Sequence, residues 1–192
     1  MWRFRGRPKL VVPVVSAPGL PIFVRRLHPD FLRPFSPDDV GEVLSSVPAR
    51  FLLGLVGVHL LAGSLKQAKA ASSQLFHYGC YGNGRICLHP FPRKLVRRRL
   101  SHLPKPDVMR AYQRAGAEYE EHGGGYTLSF SEASLTRFYL YDVLFHEIGH
   151  HVDRQLQRHG RRESESFAKW FAVEQARQLT CEATVNSRLT TG

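Results

Sequence analysis

The stretch LFHEIGHHVDRQLQRHGRRESESFAKWFA, residues 144–172, holds two helical patterns joined at Gly160. Its first half contains HEIGH, 146–150, with the His-Glu-x-x-His spacing. A helix turns by about 100° per residue, so positions four apart lie only about 40° apart on the wheel. His146 and His150 therefore leave one face and can grip one ion. Glu147 stands about 60° from His150, which sets its carboxylate beside a bound metal rather than on it. That is where a general base for an activated water belongs. Context separates this pattern from chance. On the same wheel Phe138, Tyr141, Phe145, Ile148, Val152 and Leu156 form an apolar arc at about 200° to 280° from His146. The histidines thus face away from the core stripe, toward a cleft. Gly149, which costs roughly 1 kcal/mol against Ala inside a helix, allows another backbone to approach there.

Zinc needs a third protein ligand, and a catalytic zinc site keeps its fourth position open. The second half of the stretch offers Glu163 and Glu165. With Glu165 at the origin, Ala168, Ala172, Ala176 and Leu179 fall within about 60° of it, whereas Glu163 projects about 160° away. A carboxylate centred in a buried small-residue stripe is costly unless it is paired or bound to metal. Glu165 is therefore the expected third ligand of one zinc ion per chain, with His146 and His150.

HEIGHH followed by ESFAKWFA, 165–172, resembles the Glu-x-x-Ala-x-x-Phe-Ala signature of compact gluzincin metallopeptidases, the minigluzincins and the ImmA/IrrE-type metallopeptidases. The resemblance spans roughly residues 50–180 as an order of elements, but only 145–172 as motif. It implies a zincin-like α+β fold, with a small mixed sheet packed on an active-site helix and a following glutamate helix. It also implies peptide hydrolysis by a zinc-activated water, and an upstream edge strand that pairs with extended substrate. The segments 85–89 and 126–130 are the candidates for that strand. Two features depart from the family. Lys169 stands where many gluzincins carry an acidic residue that orients the first histidine, which leaves Asp142 and Asp153, within about 40° of His146, as alternatives to surface charge. No Tyr follows Tyr141 and no His follows His159, so an oxyanion-stabilising group is open among His151, His159 and residues earlier in the chain. His151 itself reads as a helix-surface residue.

Working outward, Ser131 and Ser134 offer capping hydroxyls to the HEIGH helix, which should run to about His159, and the last helix should cover 163–181. Upstream, 106–122 reads as a helix ended by three glycines, and 126–130 as a strand. Segments 75–81 and 85–89 read as a hairpin around Asn83-Gly84, the preferred pair for a type I′ turn. That register sets Cys80 opposite Cys87, where a disulfide is geometrically conceivable; in a reducing cell the pair reads as two small buried residues. Residues 51–61 read as a buried strand. Ser36-Pro37-Asp38-Asp39 starts a short helix ending near Pro48. Residues 1–35, rich in Pro and Arg, read as an extended basic arm, leaving 36–192 as the metallopeptidase domain.

An apolar fraction of 43% over 192 residues suffices for one ordinary core. The longest apolar stretch, 51–62, falls short of the roughly 20 residues that cross a bilayer, so no membrane partner is expected. The N-terminal apolar run is short, contains Pro13 and lacks a small-x-small cleavage site, unlike a secretory signal. Three cysteines make no disulfide framework, which points to the cytoplasm. The net charge of +11 concentrates in RKLVRRR, 93–99, which suits nucleic acid, an anionic surface or an acidic substrate. No base-stacking motif accompanies it, so it reads as a solvated segment, with nucleic acid as the alternative partner. The expected partner of the site is a peptide or protein substrate. Two other readings are a metal-containing regulatory or DNA-associated protein and a structural zinc domain, and an intact Glu147 argues against the latter.

Overall fold

Asn83 and Gly84 both take left-handed backbone, at φ 51° and 71°, and close a tight hairpin between β5 (Gly79–Gly82) and β6 (Arg85–Leu88). In the computed structural model, which describes residues 12–15, 19–64, 77–156 and 160–189, this hairpin lies at one side of a five-stranded mixed sheet. Its other strands are β1 (Val12–Val15), β2 (Pro21–Val24) and β4 (Gly57–Leu60), in the order β1-β2-β4-β6-β5. The three central strands run parallel, and antiparallel β1 and β5 form the edges. Strands β3 (Phe31–Leu32) and β7 (Phe91–Pro92) make a short pair. A three-stranded antiparallel sheet follows, with β10 (Gly125–Ser129) between β8 (Arg97–Leu100) and β9 (Glu118–His122).

Among the described residues, five α-helices complete a mixed α+β architecture. Helix α1 (Pro37–Ser46) starts as expected: Ser36 accepts from the Asp39 N–H, the Asp39 carboxylate accepts from the Ser36 N–H, and Pro37 opens the first turn. Helix α2 spans Pro106–Ala115, α3 Glu132–Arg137, α4 Phe145–Leu156 and α5 Arg161–Leu189. No helix among the described residues is long and apolar enough to cross a membrane.

Several expectations need correction. The arm predicted over 1–35 is packed chain in its described part from Leu20 onward, because Ile22 and Phe31 are fully buried and β2 joins the sheet centre. Of 51–61, only Gly57–Leu60 is strand; Ala49–Phe51 is a 3₁₀ turn, and Gly54, at φ 75°, breaks the run. The helix predicted over 106–122 stops at Gly116, which takes the left-handed cap at φ 88°, and β9 follows. The last helix runs past 181 to Leu189. Residues 157–159, where the HEIGH helix was expected to end, lie outside the described set, as do 75 and 76 of the predicted hairpin.

Between α3 and α4, Phe138–Leu144 forms a π-helical segment capped at its start by neither side chain nor proline. The wider turn shifts the register of everything before it, so Tyr139 and Leu140 face the core in place of Tyr141, which is half-buried. The 100° periodicity holds again from Phe145, where Phe145, Ile148 and Val152 are buried; Leu156, at the helix end, is exposed. The basic run also differs from a plain solvated segment. Arg97 and Arg99 alternate outward on β8, with Arg97 paired to Glu120 at 3.5 Å, while Arg98 turns inward and is half-buried.

Helices α4 and α5 cross at Gly149. A Cβ at that position would stand 2.8 Å from the Ala168 Cα and 3.2 Å from its carbonyl oxygen. Backbone cannot yield as a flexible side-chain tip can, so Gly149→Ala should separate the two helices and cost about 1–3 kcal/mol, as overpacking does. The expected result is a thermal midpoint several degrees below that of the parent protein. An unchanged midpoint would mean that the close contact contributes nothing.

Candidate metal centre

Helix α4 presents His146 and His150 side by side, with their Nε2 atoms 3.1 Å apart. The first turns of α5 bring Glu165 against both: one carboxylate oxygen is 3.5 Å from His146 Nε2, the other 3.5 Å from His150 Nε2. Ligand atoms of a tetrahedral zinc, at bond lengths of about 2.0–2.1 Å, are separated by about 3.4 Å. The two imidazole nitrogens stand close to that separation, each has one Glu165 oxygen within 3.5 Å, and with one ligand atom taken from each residue the three lie within 4.8 Å of one another, a group that could hold a metal ion. Glu163 stands apart, its carboxylate directed at Gly160.

The reason for Glu165 differs from the one expected. Ala168 and Ala172 are buried against α4, yet the Glu165 side chain is 54% exposed. It sits one turn before the buried stripe begins and reaches from the helix start over the cleft. The histidines are far more enclosed, at 22% and 18%. Burial, with His150 close by, pushes His146 down to about 4, so its imidazole is neutral at pH 7, the form that binds a metal.

Glu147 is 6% exposed and has no salt-bridge partner among the described residues. Its carboxyl is pushed up to about 8, chiefly by burial, then by Cys80 and Glu165, against a lowering hydrogen bond from the Tyr81 N–H. A cation held beside it would draw that value back down. The strand that passes Glu147 is β5. A Cβ on Gly79 would lie 2.8 Å from Glu147 Oε1 and from Val143 Cγ1, so only glycine allows this approach. Edge strand β5 therefore borders the site, in place of 85–89, which is interior to the sheet, and of 126–130, which is central in the other sheet. The cleft has a volume of about 1010 Å³, with His77 and Tyr81 on the strand side and Arg154 and Glu165 on the helix side.

Residues around the ligands are arranged differently from expectation. Asp142 is engaged by Arg114 at 2.5 Å, which accounts for its carboxylate. Asp153 is buried in the cleft wall. Lys169 pairs with Asp107. His151 is fully buried instead of surface-facing: Nδ1 meets the Tyr81 hydroxyl at 3.0 Å and Nε2 the Leu53 carbonyl at 2.9 Å. It ties β5 and the 49–54 turn to α4. His159 lies outside the described residues.

The partner of His150 is Ser164, whose Oγ is 3.1 Å from Nδ1. Its position immediately before Glu165 was the only available signal, and a serine in a first helical turn is ordinarily a capping residue. Removing a group that orients a ligand typically costs about 10- to 100-fold in metal affinity. Ser164→Ala should weaken zinc binding within that range in a chelator competition, and an unchanged affinity would assign the hydroxyl to helix structure alone.

No protein-family profile, curated protein or solved structure matches this chain.

Proposed function

We propose that this chain is a zinc metallopeptidase of the compact gluzincin type, with a zincin-like arrangement of sheet, active-site helix and glutamate helix. The reading is carried by one observation: two histidines and a glutamate on two helices converge with one ligand atom each within 4.8 Å of the others, with a buried carboxylate one residue along from the first of them. A structural zinc site has no use for that carboxylate, and a carboxylate enclosed without a cationic partner is costly to retain.

Zinc, when bound, supplies Lewis acidity that polarises a carbonyl oxygen and makes water a nucleophile near neutral pH. The protein's own groups do the rest. His146, His150 and Glu165 would hold the ion. Glu147 accepts the proton of the attacking water and passes it to the leaving amine, so one carboxylate acts as base and then as acid. The Tyr81 N–H holds that carboxylate in place. Among the described residues β5 is an edge strand, whose outer peptide groups can pair with an extended substrate laid along the cleft.

The test is metal analysis of the purified protein, followed by a broad peptide library presented to the zinc-loaded chain. One zinc per chain and cleavage within extended peptides is the expected result. Zinc binding with no cleavage anywhere in the library would sink the peptidase reading.

A further inference from the structure

The face of the five-stranded sheet that turns away from α4 carries a second cluster. Phe23, His59, Cys87 and Cys80 are successive Cα partners across β2, β4, β6 and β5. Residues in such a row emerge on one face. Gly79 and Tyr81 meet Glu147 and His151 on the other face, so Cys80 between them points outward. Cys80 is exposed and Cys87 half-buried, and neither is in a disulfide. This departs from the expectation of two small buried residues.

The backbone register brings the pair within the Cα reach of a disulfide. The His89 N–H donates to the Tyr78 carbonyl at 2.8 Å. Hydrogen-bonded pairs recur at every second position of an antiparallel ladder, so Cys80 and Cys87 form such a pair too, at a Cα separation of about 5.5 Å. That falls within the usual disulfide range. The two thiols are close enough to influence each other's ionisation, and His89 stands beside Cys80. Arg25 and Arg85 bring positive charge to Cys87.

We propose that Cys80 and Cys87 form a redox modification site, a dithiol that small hydroperoxides convert reversibly to an intrachain disulfide between β5 and β6. The hydrogen bond from Cys80 holds the Cys87 thiol below its ordinary range, with Arg25 and Arg85 adding to the effect against burial; donating that bond holds Cys80 above it. With the positive charge of Arg25 and Arg85 beside it, Cys87 is assigned as the attacking sulfur, and the more exposed Cys80 as the resolving one. Its thiolate attacks the peroxide: an S–O bond forms, the O–O bond breaks, and an alcohol or water leaves. Cys87 is now a sulfenic acid. The Cys80 sulfur then attacks it, the S–S bond forms, the S–O bond breaks, and water leaves with the Cys80 proton. Two thiols are oxidised by two electrons and one hydroperoxide is reduced. Dithiothreitol reverses the step by thiol exchange. The site stands independently of whether the cleft hydrolyses peptides.

The experiment uses the full chain with Cys181→Ser, which removes the third cysteine. The protein is treated with hydrogen peroxide, denatured, alkylated and digested with trypsin, which cuts after Arg85 between the two cysteines. Joint loss of both alkylatable thiols is expected, with one cross-linked peptide pair and recovery of both thiols on dithiothreitol. In the Cys80→Ser variant, dimedone should trap a sulfenic acid on Cys87. Two thiols still alkylated after peroxide, disulfide-linked dimers in place of the intrachain bond, or irreversible sulfinic products would overturn the proposal. A dimedone adduct absent from Cys87 would overturn its assignment as the attacking sulfur.

Discussion

Glu147→Gln should retain zinc and lose peptide hydrolysis by at least about 10²- to 10⁴-fold, the range that a positioned general base ordinarily supplies. The amide keeps the shape of the side chain and can still accept from the Tyr81 N–H. It cannot accept a proton from water or return one to the leaving amine. Because the carboxylate it replaces is buried with no salt bridge among the described residues, the substitution removes a costly group and should not lower stability. Binding of uncleaved peptide should survive. Turnover, zinc content and thermal midpoint are the three measurements. A variant that hydrolyses at the parental rate would show that Glu147 is not the base.

Glu165→Ala should weaken zinc binding by more than the roughly 100-fold upper range for losing a supporting group around a ligand, whereas Glu163→Ala should leave it unchanged. The contrast rests on placement. Glu165 touches both histidines at 3.5 Å, and Glu163 is turned to Gly160. Since the Glu165 side chain is half-exposed, its truncation leaves no cavity, and folding should be preserved. Competition against a zinc chelator separates the two variants. Zinc lost from Glu163→Ala and kept by Glu165→Ala would reverse the ligand assignment.

The candidate site was more legible than the sheet that borders it. His146 and His150 meet because four residues make just over one helical turn, a local fact that needs no neighbours. Glu165 was reached through its apolar stripe, and although the stripe is real from Ala168 onward, the carboxylate itself is open to the cleft. Ser164 is not legible from the sequence because its bond to His150 joins two helices. His151 read as exposed because the wheel describes one helix in isolation; Tyr81 and Leu53, distant in sequence, bury it. The segments expected to be edge strands, 85–89 and 126–130, are interior for a related reason. Edge or interior position depends on which strands pair, and β2, within the supposed arm, lies beside β4 near the sheet centre.

What the sequence determined by itself is therefore short in range: the paired histidines with Glu147 beside them, the Asn83-Gly84 turn that sets Cys80 opposite Cys87, the capping box at Ser36, and the close helix approach at Gly149. Backbone periodicity and turn chemistry act over a few residues and are readable from identity alone. Only the tertiary structure decided that β5 is the strand against Glu147, that a π-helical segment shifts the register ahead of Phe145, that His151 is enclosed, and that Arg98 turns inward while its neighbours do not. Each of these depends on which distant surface covers a side chain, because burial and pairing energies belong to contacts between segments rather than to the segments themselves.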